Sequence, residues 1–196
     1  MTRLYIVRHG QTDWNAVGRI TTRTDRPLTA PGEEQARELG RFLASRQVRF
    51  DAAFASPAQR ARHTAELVLA EMGRSDLTVG IEPLAAEPDA GPFEGWTEPE
   101  IAADPQGQAW RAGEQIEGAE HDSEAVLRGL ELLERLSGLP GNLLLISHGH
   151  FIRLLIAHAV LDIPLGRSPR LAIRNASPAI IELAGPRARL VALNLL

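Results

Sequence analysis

The chain has 196 residues, 44% of them hydrophobic and 23% charged, with a formal net charge of −4. That is enough chain for one well-buried domain, and the balance is neither that of a disordered protein nor that of a nucleic-acid binder. It holds no cysteine and no lysine, all 21 basic residues being arginine, which excludes disulfide frameworks, thiol chemistry, Schiff bases and P-loop lysines. No apolar stretch reaches membrane-spanning length, and the N-terminus enters a strand at once rather than a signal peptide. The expectation is a cytoplasmic protein with neither a nucleic acid nor a membrane as partner.

Residues 3 to 8 read as a first strand. Leu4-Tyr5-Ile6-Val7 is apolar without alternation, the pattern of a strand buried on both faces, and it runs into Arg8-His9-Gly10. Residues 10 to 32 are polar, with Gly, Pro and Thr, and read as a long loop of the functional kind. Pro31-Gly32 opens a helix from Glu33 to Ser45, with Ala36, Leu39, Phe42 and Leu43 on one face. Ala52 to Ala55 is a short strand. Ser56 as N-cap, with Pro57 at the first helical position, starts a helix that runs to Met72 and stops at Gly73. Residues 77 to 81 read as a strand. Residues 82 to 122 are irregular, with short helices near Glu98 to Ala103 and Gln106 to Ala112. An amphipathic helix spans Ser123 to Leu136, with Val126, Leu127, Leu130, Leu133 and Leu136 apolar. A second buried run, Leu143-Leu144-Leu145-Ile146, enters Ser147-His148-Gly149-His150, and Phe151 to Val160 is helical. Two further strands are expected at Ala179 to Leu183 and Arg189 to Leu193.

Strands alternating with helices, without repeat or linker, predict an α/β fold. The expected form is a single three-layer α/β/α sandwich over residues 1–196 with a mainly parallel central sheet of about six strands. Its site belongs at the C-terminal edge of the sheet, roofed by residues 88–122 as a lid-like insertion.

Two histidines at one sheet edge, one of them preceded by arginine, suit an anion and a nucleophile. A strand-end His attacks phosphorus if its other ring nitrogen is held by an acceptor. The arginine fork of Arg8 matches two phosphate oxygens, and Gly10 permits a close backbone approach. Arg62 falls about 200° around its helix from Arg60 and faces solvent. His63 and His158 read as surface or packing residues.

Four separated stretches occur in order. They are Arg8-His9-Gly10-Gln11-Thr12-Asp13-Trp14-Asn15, then Ser56-Pro57-Ala58-Gln59-Arg60-Ala61-Arg62-His63-Thr64-Ala65, then Glu87 to Gly95, and last Ser147-His148-Gly149. With these the chain resembles the histidine phosphatase superfamily, also called phosphoglycerate mutase-like. The resemblance implies a phosphoglycerate mutase-like sandwich and a phosphorylated nucleophile at His9. Arg8, Arg60 and His148 correspond to the rest of the phosphate pocket, and Glu87 to the proton donor. Asn15 and Thr21 match positions that touch phosphoryl oxygens; Gln11, Gly149 and His150 join them as candidate substrate-binding residues. Asp89 ranks second as an acid, and Trp14 and Phe93 line the pocket or cover it. Gln11 stands where many relatives have Glu, and Thr22 where glycine is frequent.

The implied activity is metal-independent phosphomonoester hydrolysis through a phosphohistidine, with no cofactor, because arginines carry the positive charge. The alternatives are a cofactor-dependent phosphoglycerate mutase and a non-catalytic phospholigand-binding protein. Twelve acidic residues and one basic residue, Arg111, lie between Glu82 and Glu124. That lid is expected to repel a second anion, which favours small phosphate esters with a neutral or cationic remainder. Oligomeric state is open, with a homodimer as the candidate assembly.

Overall fold

The apolar runs before the two His-Gly motifs are the two central strands of one sheet. The computed structural model describes residues 1–165, 171–184 and 187–196. In chain order, β1 (Thr2–Arg8) leads to a one-turn helix, α1 (Asp13–Ala16), and then to α2 (Ala30–Ser45). β2 (Ala52–Ala55), α3 (Gln59–Glu71) and β3 (Val79–Ile81) follow. Next come 3-10 turns at Pro83–Ala85 and Gly91–Phe93, and the helices α4 (Glu98–Ala103), α5 (Pro105–Arg111) and α6 (Asp122–Ser137). β4 (Gly141–Ser147) enters α7 (Gly149–Leu154), which widens into a π-helical turn over Leu155–Val160. β5 (Pro178–Ala184) and β6 (Arg187–Ala192) complete the sheet. No helix among the described residues is long and apolar enough to cross a membrane.

The strand order is β3-β2-β4-β1-β5-β6. The first four strands pair in parallel, and β5 and β6 are antiparallel additions. Parallel neighbours need crossovers, which α2, α3 and α6 supply. Alternate strand residues face opposite ways. Leu4, Ile6, Leu143 and Leu145 pack with Leu132, Phe151 and Ile156 on one face. Tyr5, Val7, Leu144 and Ile146 pack with Ala36, Leu39 and Val68 on the other. Two cores, one per face, are why both runs are apolar without a break, and the architecture is the expected α/β/α sandwich.

The register places the site. Arg8 of β1 lies opposite Ser147 of β4, and Ile146 opposite Ala55 of β2. The next residues along, His9, His148 and Ser56, therefore leave one sheet edge side by side.

Several local expectations change. α2 starts at Ala30 rather than Glu33, because the Thr29 side chain caps Gly32 N–H and proline is tolerated in a first turn. Residues 10 to 32 are not all loop, since Thr12 caps α1. Ser56 does not cap α3; Ala58 holds that position without a side-chain bond, and Asp25 accepts the Gln59 N–H at 2.7 Å. On α6, Leu127 and Leu130 are 66% and 46% exposed. The buried face instead carries Ala125, Val126, Gly129, Leu132, Leu133 and Leu136. Gly129 sets this offset: a Cβ there would meet the Leu155 side chain at 2.8 Å, so the glycine is where α6 lies closest to the π turn.

The segment 88–122 has a core of its own. Ala90, Phe93, Ile101 and Ile116 bury there with Trp96 and Trp110, and Phe93 stacks on Trp110 at 4.8 Å. Reciprocal backbone bonds tie it to the loop after α1: Ile20 N–H to Trp96 at 2.8 Å, and Gly95 N–H to Ile20 at 2.9 Å.

Candidate active site

His9 is buried and its backbone is pinned. Its N–H donates to Ser147 at 3.0 Å, and its carbonyl accepts from Asn175 Nδ2 at 2.8 Å. Its Nδ1 lies 2.7 Å from the Gly10 carbonyl. A carbonyl only accepts, so Nδ1 carries the proton and Nε2 keeps the lone pair. Burial first, then the Arg60 and Arg8 charges, push the His9 pKa well below 6.5. The ring is neutral at pH 7. Gly10 is needed here for the chain rather than for a ligand: a Cβ would strike the Gly32 carbonyl oxygen at 2.3 Å.

His148 stands edge-on to His9, with ring centroids 5.2 Å apart. Its Nδ1 lies 3.3 Å from Arg60 Nη2, and its Nε2 lies 2.6 Å from Ser56 Oγ. A guanidinium only donates, so Nδ1 accepts and Nε2–H donates to Ser56. Burial, with His9, Arg60 and Arg8 nearby, holds this pKa well below 6.5 as well. Ser56 is fully buried, and its hydroxyl is spent on this bond rather than on a helix cap.

Arg60 is buried and donates to the carbonyls of Thr24 and Thr22, both at 3.1 Å. It ties the 21–24 loop to α3. Glu94 holds the same loop from its other side, accepting from Thr22 N–H at 2.9 Å and Thr24 N–H at 3.0 Å. Thr22 N–H is therefore already bonded. Arg8 Nη1 donates to Ile173 at 3.0 Å. Among the described residues the Nε atoms of Arg8 and Arg60 are buried without a partner. Burial lowers both arginine pKa values, and Glu87 is the foremost charge opposing that.

Glu87 sits at the start of α7. Its two oxygens accept the N–H groups of His150 and Phe151 at 3.1 and 2.9 Å. A carboxylate at a helix N-terminus is favoured by the orphan donors and the dipole there. Those N–H groups are thereby taken from any phosphate. A cavity of about 360 Å³ opens here, lined by Arg8, His9, Asn15, Thr21, Glu87, Gly149 and His150. Among the described residues no group of three or more His, Asp or Glu is gathered closely enough to hold a metal ion.

The family model for the histidine phosphatase superfamily (branch 1) matches residues 4–196. The chain belongs to that superfamily. It is 35% identical over 192 residues to a 2,3-bisphosphoglycerate-dependent phosphoglycerate mutase of Methylobacterium radiotolerans, covering 92% of this chain and 89% of that one. It is 34% identical over 184 residues to an acid phosphatase of Mycobacterium tuberculosis, covering 91% and 85%. Its fold superposes on a putative alpha-ribazole-5'-P phosphatase from Escherichia coli with a TM-score of 0.84 and 30% identity, over 98% of this chain and 96% of that one.

Within this member of the superfamily, the expected site residues divide into two layers. Arg8, His9, Asn15, Thr21, Glu87, Gly149 and His150 reach the cavity. Arg60 and His148 are buried behind it, against His9. Gln11 does not reach it: its Oε1 accepts from Thr29 Oγ1 at 3.1 Å, so its side chain holds the first turn of α2. Asp89 is paired with Arg23, Phe93 lies in the core of the 88–122 segment, and Arg62 is exposed.

The acidic lid needs a correction. Asp89, Glu98 and Glu120 are paired with Arg23, Arg111 and Arg128, and Glu82 with Arg135. Glu94 holds the 21–24 loop, and Glu100 and Asp104 cap helices. Among the described residues the acids lining the cavity are Glu87 and Asp122, against Arg8, Arg19, Arg111 and Arg153. Most carboxylates of the 82–124 run are therefore engaged away from the cavity.

Sequence reasoning missed Ser56 as the partner of His148, Asn175 as the support of His9, Glu94, Asp122 and Arg153. Ser56 follows β2 directly and was within reach of a register argument. Asn175 pairs with Arg8 across 167 positions through an isolated bridge, and nothing local marks it.

Proposed function

We propose that this chain is a phosphomonoester hydrolase that works through a phosphohistidine on His9 and needs no metal. The observation that carries the reading is the His9 ring. It is buried and neutral, with Nδ1–H bonded to Gly10 and the Nε2 lone pair left for attack. Nε2 attacks phosphorus and the ester P–O bond breaks. Glu87 gives its proton to the leaving oxygen, then takes one from water as that water attacks the phosphohistidine. Inorganic phosphate leaves and His9 is restored. Arg8, on the cavity wall, serves the phosphoryl oxygens as charge spreads over them, and Arg60 adds its positive charge from behind His9. Asn15 and Thr21, on the cavity wall, add neutral donors. Arginines supply the positive charge a metal would bring. Residues 88–122 serve as the lid.

Hydrolase and mutase share the phosphohistidine and differ in what accepts the phosphoryl group. The similarity to the mycobacterial acid phosphatase and the Escherichia coli phosphatase fold supports the hydrolase. A cavity of about 360 Å³ also leaves room for water beside a small bound ester. The mutase reading has the Methylobacterium relative in its favour. The test is phosphate release from a panel of esters beside a coupled mutase assay, with and without 2,3-bisphosphoglycerate and EDTA. Hydrolysis is expected to dominate and to survive chelation. A stopped reaction should hold acid-labile, base-stable phosphate on His9, and His9→Ala should lose nearly all turnover. Substantial turnover in that variant would remove His9 from the role, and bisphosphate-dependent mutase turnover above hydrolysis would reverse the assignment.

A further inference from the structure

Contacts that fix Glu87 converge on one residue outside the cavity. Leu84 stands three residues before Glu87 in the chain, and Asp89 two after it. Both are held from α6. Arg128 Nη1 donates to the Leu84 carbonyl at 2.6 Å. Arg128 Nε and Nη2 donate to the two Glu120 carboxylate oxygens at 2.6 and 3.2 Å, and Glu120 N–H donates to the Asp89 carbonyl at 2.8 Å. The third contact is with α7. The Arg128 guanidinium lies 4.6 Å over the Phe151 ring, and Phe151 N–H is one of the two donors that hold the Glu87 carboxylate.

A guanidinium suits this junction. Two of its nitrogens fork onto a carboxylate, the third meets a carbonyl, and its flat face covers an aromatic ring. The side chains of Arg128 and Glu120 are 17% and 21% exposed, so water screens this pair less than it screens a bridge on the open surface. Arg128 is not among the residues that line the cavity. Its route to the chemistry runs through Glu87. The N–H groups of α7 hold the carboxyl end of Glu87. Arg128 holds the main chain on either side of it, and packs on the residue that supplies one of those N–H groups. A carboxylic acid helps a leaving oxygen only from within hydrogen-bond reach, and a small misplacement is costly.

We propose that Arg128 is a positioning residue for the general acid: its guanidinium joins the Glu87 segment, the lid and α7 into one unit and so keeps the Glu87 carboxyl aimed at the leaving oxygen. The proposal rests on the role given to Glu87 in the hydrolase reading above.

The experiment measures single-turnover phosphorylation of His9 by two esters. Propyl phosphate leaves as an alkoxide that needs a proton; p-nitrophenyl phosphate leaves without one. Arg128→Met, which keeps a stem without the guanidinium, should slow propyl phosphate by about tenfold, the scale of one charge-assisted bond, and leave the other ester within about twofold of wild type. In a Glu87→Gln background the same change should slow propyl phosphate no further, because no acid is left to aim. Equal slowing of both esters by Arg128→Met overturns the proposal. So does a loss on propyl phosphate that multiplies with that of Glu87→Gln, because Arg128 then serves the fold at large. If Arg128→Met does not fold, Glu120→Gln is judged by the same criterion and should show a smaller loss confined to propyl phosphate. Equal slowing of both esters by Glu87→Gln alone is a failure of the acid reading, seen with Arg128 intact, and it removes the proposal as well. A wild type phosphorylated by neither ester is a failure of the hydrolase reading. Amide hydrogen exchange then decides the positioning by itself. In Arg128→Met the His150 and Phe151 amides, which bond Glu87, should exchange about tenfold faster, while the His9 amide, which bonds Ser147, keeps its rate. Unchanged exchange at His150 and Phe151, or faster exchange at all three, overturns the proposal.

Discussion

A histidine attacks phosphorus only while one ring nitrogen keeps its lone pair, and here a single backbone carbonyl makes that choice. Gly10 fixes the His9 tautomer from the next residue along. The task proposed for Glu87 is complementary, since an alkoxide leaves poorly without a proton. Its carboxylate reaches the cavity from the first turn of α7, held by two N–H groups. Glu87→Gln removes the proton and sets an amide donor against one of those N–H groups. It should slow the phosphorylation step for alkyl phosphates by about 10²-fold, the scale of lost general-acid help. It should slow p-nitrophenyl phosphate far less, because nitrophenolate leaves unprotonated. Single-turnover kinetics on both substrates separate the proton from the packing. Equal losses would mean that Glu87 only anchors α7.

At the scale of elements, the loop over residues 21–24 is shaped by groups outside it. Arg60 of α3 takes its carbonyls and Glu94 takes its N–H groups. The Thr22 hydroxyl adds a further bond to Glu94 at 2.5 Å. Burial raises the Glu94 pKa, but the bonds from Thr22 and Thr24 together outweigh this and keep it below 4.5. Glu94→Gln would present a donor to donors and loosen the wall that carries Thr21. KM for simple esters should rise by about tenfold, the usual worth of a charge-assisted bond, with a smaller change in kcat. Circular dichroism should show the fold intact. An unchanged KM would show that the loop holds its shape without this carboxylate.

For the whole molecule, the two buried histidines link stability to pH. Both have folded pKa values well below 6.5. As pH falls below 6.5 the unfolded chain takes up protons that the folded chain refuses. Stability is thus fully present above 6.5 and is lost as pH drops toward the folded values. Asp122, whose carboxyl is held below 3.8 by His150 against the effect of burial, contributes only at lower pH. Urea midpoints should therefore be lower at pH 5.5 than at pH 7.5, and His148→Gln should reduce the difference. A wild-type midpoint that stays level across that interval would contradict the linkage.

Much of this was legible in the chain itself. Unbroken apolar runs at Leu4 to Val7 and Leu143 to Ile146 announce strands buried on both faces, because only a two-sided core tolerates them. The His-Gly pairs behind them then fall at one sheet edge by topology. The family resemblance carried by the short motifs singled out His9, Glu87, Arg8 and Arg60, and the fold brings these residues together at that edge. What the tertiary structure decided is which polar group meets which. Ser56 reads locally as a helix cap, yet the β2–β4 register brings it to His148. Leu127 and Leu130 fit a helical stripe, yet the close approach at Gly129 turns them to solvent. The acidic run counts as negative charge along the chain, yet salt bridges and caps engage most of it and leave four arginines on the cavity wall. Periodicity is a local property and survives in one dimension. Charge pairing depends on distances of a few ångströms between residues far apart in the chain, and only the packed fold sets those.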